Sequence, residues 1–413
     1  MLLSCSWLRT FALTASATLL TSAAALAQDS TLTRLIQKNQ LPMLQTGRQF
    51  AGTGWDKLRQ EVAQSQFVAV GEAHGTAQIP QFTAALAQVL QPKVFAAEIS
   101  PTEAQDLTRV IDQPATHRAF QQQHPFALSF FSWTEEAALA RQLRAQNVQI
   151  MGIDQNNMFA AGRFYSRLAE LSTGKAAKTY LLRRAAAIQA HDRAVMGSQG
   201  EQLTMLQQSA ASLDSLVSLT RKESAQVQAL VQGYVTSARI YQNNVKPATN
   251  AASHLERIGL MKHNLLRQLR AYQPTGTEPL PKMLLKFGAE HSGRGLSRSG
   301  VYDVGNLVVN LADMQTQKSL HIIVLGKQGT TTAGFNPEDA SKNTQSYQAD
   351  PTSTYKLFLD QTGPQAWSVV DLRPLRRALN SRKLQVSSTT LERIIQGYDF
   401  FVIIPETTAN PVQ

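Results

Sequence analysis

Cysteine is all but missing: Cys5 is the single one in 413 residues. Beyond it the chain can form no disulfide and offers neither a cysteine nucleophile nor a thiolate metal ligand. Long apolar runs are missing too. The stretch from Phe11 to Leu20 is too short to cross a membrane, and no later run approaches that length. With Arg9 before it and the small-residue pattern Ala25-Leu26-Ala27 behind it, it reads as a secretory signal peptide, residues 1–27, cut before Gln28. Cys5 lies ahead of the apolar stretch and not at its end, as a lipoprotein signal would require. A periplasmic or secreted protein without a transmembrane segment is the expectation.

Acidic residues are in deficit, 29 against 40 basic ones, for a net charge of +11. The surplus is dispersed. Arg183-Arg184 and the run from Arg373 to Arg377 are the local clusters, and no aromatic residues interleave with them as a nucleic-acid site would want. Nucleic acid is therefore not an expected partner, whereas weak contact with anionic envelope surfaces is. Familiar catalytic signatures are absent as well: no G-x-S-x-G elbow, no H-E-x-x-H helix and no Walker loop. Gly293-Arg294-Gly295 lacks the third glycine of a dinucleotide fingerprint.

Proline is scarce in the middle of the chain, where only Pro247 falls between Pro125 and Pro274. There Leu203, Leu206, Ala210, Leu213 and Leu216 recur at helical steps, as do Leu230, Tyr234, Val235 and Ala238. This predicts an all-helical insertion, residues 162–271, between two parts of a core at 28–161 and 272–413. In the core, apolar runs at Phe67, Val94, Val148, Met283, Ile322, Trp367 and Phe400 alternate with helical stripes such as Pro80 to Leu90, Thr102 to Ile111 and Thr134 to Ala145. That is the pattern of an α/β fold with a mostly parallel sheet flanked by helices. The polar segment 329–348 reads as a long loop.

Several strand-like runs end in an acid or a histidine. Phe67-Val-Ala-Val70 leads into Gly71-Glu72-Ala73-His74-Gly75, Val94-Phe-Ala-Ala97 into Glu98, and Val148 to Ile153 into Asp154. Met283 to Phe287 leads into Gly288-Ala289-Glu290-His291. Ligands of open α/β sheets sit beyond the carboxyl ends of the strands. Glu72, His74, Glu98, Asp154 and His291 are thus the candidate catalytic set, with Glu290 ranked below His291. Arg257, where the insertion returns to the core, is the candidate to hold a carboxylate or a developing oxyanion. Each has a plainer reading: Glu72 and Glu98 as helix caps, His74 as a satisfied polar residue, Asp154 as an Asx-turn, Arg257 as a surface salt bridge. His117, His124, His191, His254 and His321 read as structural.

The chain resembles the erythromycin-esterase family, within a superfamily that also holds ChaN-like haem-uptake and TIKI/TraB-type proteins. The residues carrying the resemblance are Val70-Gly-Glu-Ala-His-Gly-Thr76, Ala97-Glu98, Gly152-Ile-Asp154, Arg257 with Met261 and Asn264, Lys286-Phe-Gly-Ala-Glu-His291, and the segment from Gly397 to Glu406. The resemblance implies an α/β core with a helical lid over a deep cleft. It also implies a cofactor-free esterase centre in which Glu72, His74, Glu98, Arg257 and His291 match motif positions. One departure is that the esterases place one more residue between the Glu and His of the first motif. Glu72-Ala73-His74 has the shorter ChaN-like spacing, so the substrate stays open. The leading expectation is an exported hydrolase that activates water with His and Glu on a small-molecule ester or related acyl bond. The alternatives are a haem or iron-chelate carrier, with Tyr180, Tyr234 or Tyr241 as iron ligand, and a metal-dependent hydrolase using the same His and acids.

Overall fold

The computed structural model describes residues 30–350, 352–386 and 388–412. The expected signal peptide lies outside the described residues. Ten strands form one sheet: β1 (Gln40–Thr46), β2 (Gln49–Ala51), β3 (Phe67–Glu72), β4 (Val94–Ala97), β5 (Gln149–Gly152), β6 (Met283–Gly288), β7 (Ser319–Thr332), β8 (Thr344–Gln348), β9 (Trp367–Asp371) and β10 (Phe400–Thr407). Their order is β2-β1-β9-β10-β7-β3-β6-β4-β5, with β8 paired to the far end of β7. From β10 to β5 the neighbours are parallel.

The apolar runs form strands because both faces of the sheet are covered, so successive residues bury in opposite directions. Val68 and Val70 join a core under the helices Gln78–Leu90 and Thr134–Ala145, together with Leu86 and Leu143. Phe67 and Ala69 join another with Met261 and Leu265 of the helix Asn250–Leu269 and Val308 of the helix Val304–Met314. The chain leaves β3 for β4, passing over the position later taken by β6, and leaves β6 for β7 on the other side of β3. Such a reversal opens a crevice at the carboxyl ends of β3 and β6.

Between β5 and β6 runs a long helical stretch, including Ala161–Leu171, Lys175–Val195, Ala210–Thr220, Ala225–Asn244 and Asn250–Leu269. It has its own core, in which Tyr234 stacks on Phe164 with centroids 4.2 Å apart. The single stripe expected from Leu203 to Leu216 is broken in two: Leu203 precedes a short helix, Thr204–Gln207, and Ser209 caps the next by accepting from the Ser212 amide.

Three expectations are corrected. Trp367 to Val370 forms a strand, but β9 runs antiparallel to β10 and to β1. The segment 329–348 is a loop only in its middle, 333–343: Gln328 to Thr332, the end of β7, pairs with Thr344 to Gln348. Its Thr-rich sequence suits a strand only partly covered, where apolar residues are not needed. This hairpin ties the lid to the core, through Arg193–Glu338 at 2.7 Å and Phe335 against Phe159 on one side. On the other the Thr332 amide donates to the Gly75 carbonyl at 3.0 Å. Third, Tyr234 is fully buried within that helical stretch and Tyr180 faces outward, so neither is placed to hold iron in the crevice.

Candidate functional site

Six side chains from four strand ends and one lid helix meet in the crevice. Glu72 closes β3 and is buried; two residues on, His74 turns back so that Nδ1 lies 2.8 Å from Glu72 Oε1. Gly75 makes that turn possible, with a φ of 91° and Thr332 so close that a Cβ would sit 2.2 Å from its carbonyl oxygen. The His74 ring stacks on Phe130, centroids 4.2 Å apart, and about a third of the side chain stays exposed (32 %). Its Nε2 faces Glu98 Oε2 at 3.6 Å. Across the crevice His291 mirrors it, with Nδ1 2.9 Å from Asp303 Oδ2 and Nε2 3.7 Å from Glu98 Oε1.

In both rings an ionised carboxylate accepts from Nδ1, which keeps the proton there and leaves Nε2 as the working atom. The two Nε2 atoms address opposite oxygens of one carboxylate. Glu98 is itself held by the Gly288 amide at 2.6 Å and by Arg257 Nη2 at 2.8 Å. Arg257 also clamps Asp154, Nε to Oδ1 at 3.0 Å and Nη2 to Oδ2 at 2.5 Å. Its Nη1 has no acid partner among the described residues. Glu72 and Glu98 do not cap the helices that follow them, whose N-caps are Ala77 and Ser100; His74 is a paired polar residue, as its plainer reading had it, and Asp154 Oδ1 also accepts from the Gln155 amide. Glu290 turns away to an exposed pair with Arg298 at 3.2 Å.

The electrostatics follow from one shared problem, charge in a buried place. Burial would lift the Glu98 carboxyl, but His74, His291, Arg257 and the Gly288 amide outweigh it and hold it at about 2. Burial would depress both histidines, yet Glu72 and Glu98 raise His74, and Asp303 and Glu98 raise His291. Glu72 is opposed by burial and still held low by Lys286 and His74.

Four contributors had no site role assigned from the sequence: Lys286, Glu136, Asp303 and Phe130. Lys286 Nζ sits 2.6 Å from both Glu72 Oε1 and Glu136 Oε1, all three side chains being buried. One ammonium cannot neutralise two carboxylates. Glu72 keeps the charge, while burial pushes Glu136 up to about 7 against the pull of Lys286. A charged residue inside Met-Leu-Leu-Lys-Phe was the available signal, since a buried strand tolerates a lysine only when it is paired. Asp303 is the N-cap of the helix at Val304, whose amide its Oδ1 accepts at 2.6 Å. Phe130 gave no signal. Of the histidines read as structural, His321 supports the site from beneath, Nδ1 2.7 Å from the Ser292 carbonyl, and burial holds it near 3. Among the described residues no group of three His, Cys, Asp or Glu side chains is arranged to hold a metal ion.

These groups set how stability depends on pH. His74 and His291, raised above 6.5, contribute stability that is full below that pH and lost as pH rises through their folded values. Glu136, near 7, and Glu103, lifted by burial to about 8, also hold protons that the unfolded chain has already released. All four lower stability as pH rises from 6.5 to 8. His321 and His124, held near 3 and 4 by burial, oppose this at the lower end, because the unfolded chain still binds part of their protons at pH 6.5; their opposition fades as pH rises and is outweighed by the four together. The melting temperature should therefore fall across pH 6.5 to 8, and Glu103→Gln should flatten the fall. A flat or rising profile would contradict the assigned protonation.

No protein-family model and no curated protein sequence matches the chain. Solved structures do. A mutant of the erythromycin esterase EreC, in its open conformation, superposes over 87 % of this chain and 95 % of its own, with 13 % identity and a TM-score of 0.53. A Bacillus cereus protein covers 93 % and 99 %, at 16 % identity and a TM-score of 0.53. A succinoglycan biosynthesis protein covers 94 % and 99 %, at 13 % identity and a TM-score of 0.54. At these identities the likeness is one of fold: this chain shares the α/β architecture of the erythromycin esterase EreC along nearly its whole length.

Proposed function

We propose that the protein is an exported hydrolase that cleaves an ester or related acyl bond of a small molecule by activating water directly. The observation that carries this reading is the pair of imidazoles whose Nδ1 atoms are held by Glu72 and Asp303 while both Nε2 atoms face Glu98. In the step proposed, His74 Nε2 takes a proton from water as the water oxygen bonds to the acyl carbon. Glu98 stabilises the imidazolium. The Arg257 Nη1 faces the oxyanion, and when the carbon–oxygen bond breaks the leaving alcohol receives its proton from His291 or His74. Because both histidines are raised, the rate should climb with pH beyond the ordinary 6.5.

Direct water attack has a kinetic fingerprint. Stopped-flow hydrolysis of p-nitrophenyl acetate should show no burst, and quenched protein should carry no added acetyl group. A stoichiometric burst with an acylated residue would replace water activation by a covalent route, and failure to hydrolyse any of a panel of simple esters would end the hydrolase reading. Chelation gives a second check. The reading needs no bound metal, so dialysis against EDTA should leave turnover intact; loss restored by zinc or manganese would favour the metal-dependent alternative.

A further inference from the structure

Beside the crevice around His74 lies a groove with a volume of about 860 Å³. Its floor is the turn after β5, Asp154 to Asn156; its walls are the start of the helix Pro101–Val110 and the lid helices Ala225–Asn244 and Asn250–Leu269. The lining is unusual for a ligand groove, which is ordinarily apolar with a few polar anchors. Here the side chains of Gln105, Gln226, Gln232, Thr236 and Arg270 form no hydrogen bond with another described residue. Arg267 and His263 add to the basic side, while the only acid in the lining, Asp154, is already matched by Arg257. An apolar ligand would bury these groups unsatisfied. Carboxamides, each both donor and acceptor, suit hydroxyl groups, and the two arginines suit a carboxylate. Leu230, Leu260 and half-exposed Leu266 leave room for the C–H faces such a ligand would also carry.

We infer that this groove binds a hydroxyl-rich acid, such as a short acidic saccharide. Given the hydrolase reading above, on which this part rests, that is the portion of the substrate that bears the acyl group. Asp154, on the groove's floor, is joined to His74 through Arg257 and Glu98. A ligand anchored at the arginines must extend past that chain of side chains to reach His74.

The test is binding, read apart from turnover by calorimetry at physiological salt. The probes are trigalacturonate, the neutral maltotriose, and glutarate, an acid without hydroxyls. Trigalacturonate should bind most tightly, and the double substitution Arg267→Gln/Arg270→Gln should weaken it by about tenfold or more. Gly233→Leu should remove it. A Cβ at Gly233 meets nothing nearer than 4.0 Å, so the larger side chain enters the groove without disturbing the helix, and circular dichroism checks that it does. His74→Ala should bind trigalacturonate as the wild type does. If trigalacturonate failed to bind at millimolar concentration, bound no better than maltotriose or glutarate, or bound unchanged to folded Gly233→Leu, the inference would fall. Binding by a protein that hydrolyses no ester would keep the groove and dismiss only the hydrolase.

Discussion

Replacing His74 with alanine should cost a hundred- to ten-thousand-fold in turnover, about the worth of a general base, while the protein stays folded. The ring stands on a turn beyond β3, a third exposed, with Phe130 as its packing partner. His291→Ala should cost nearly as much, because both Nε2 atoms serve the same Glu98 carboxylate and, on the proposed mechanism, the same water and leaving group. Groups acting as a unit are strongly non-additive, so the double variant should be little slower than either single one. Measuring kcat for the three variants on one ester separates the cases. Losses that multiply would assign the histidines to different steps and dismantle the single centre. A His291→Ala variant with most of its activity would reduce that residue to a support for the loop before Asp303.

The parallel core was legible because its strands are buried on both faces and so read as unbroken apolar runs. The edges were not. β1, Gln40-Leu-Pro-Met-Leu-Gln-Thr46, buries only Met43 among its seven residues, so its sequence carries no strand-length apolar signal, and β8 is almost wholly exposed. The direction of β9 is invisible for another reason: Trp367 to Val370 is as apolar as its parallel neighbours, and strand polarity depends on the connection, not the composition. At the site, the residues named from the sequence that come together are those that follow a strand end, where topology does the gathering, and Arg257, which a helix brings in. Asp303 and Glu136 arrive from helices packed against the sheet, and no spacing in the sequence links either to its partner. Tyr234 shows the opposite failure. A tyrosine at helical spacing fits an iron ligand and a core equally well, and only its stacking on Phe164 decides for the core.

Lys286 makes the severest demand on the fold. It lies in β6, with Leu284 two residues earlier packing into the core beneath Gln78–Leu90 and Thr134–Ala145, and alternation sends Lys286 to that same side, where Glu136 waits. Lys286→Met preserves the length of the side chain and removes the charge. Glu72 and Glu136 would then face each other without a cation, and removing one partner of a buried ion pair costs about 3–5 kcal/mol. The cheapest escape is for Glu72 to take up a proton, as Glu136 already does near neutrality. A protonated Glu72 no longer stabilises the imidazolium of His74, so turnover should fall with stability, and the pH at which activity rises should move down toward the ordinary histidine value. Glu136→Gln is the companion measurement. The amide oxygen still accepts from Lys286 and Glu72 stays ionised, so that variant should lose little stability and keep the wild-type pH profile. Chemical denaturation and the pH–rate profile together decide the matter. If Lys286→Met were as stable as the wild type, or if Glu136→Gln moved the profile as far as Lys286→Met does, the lysine would not be what holds Glu72 ionised beside His74.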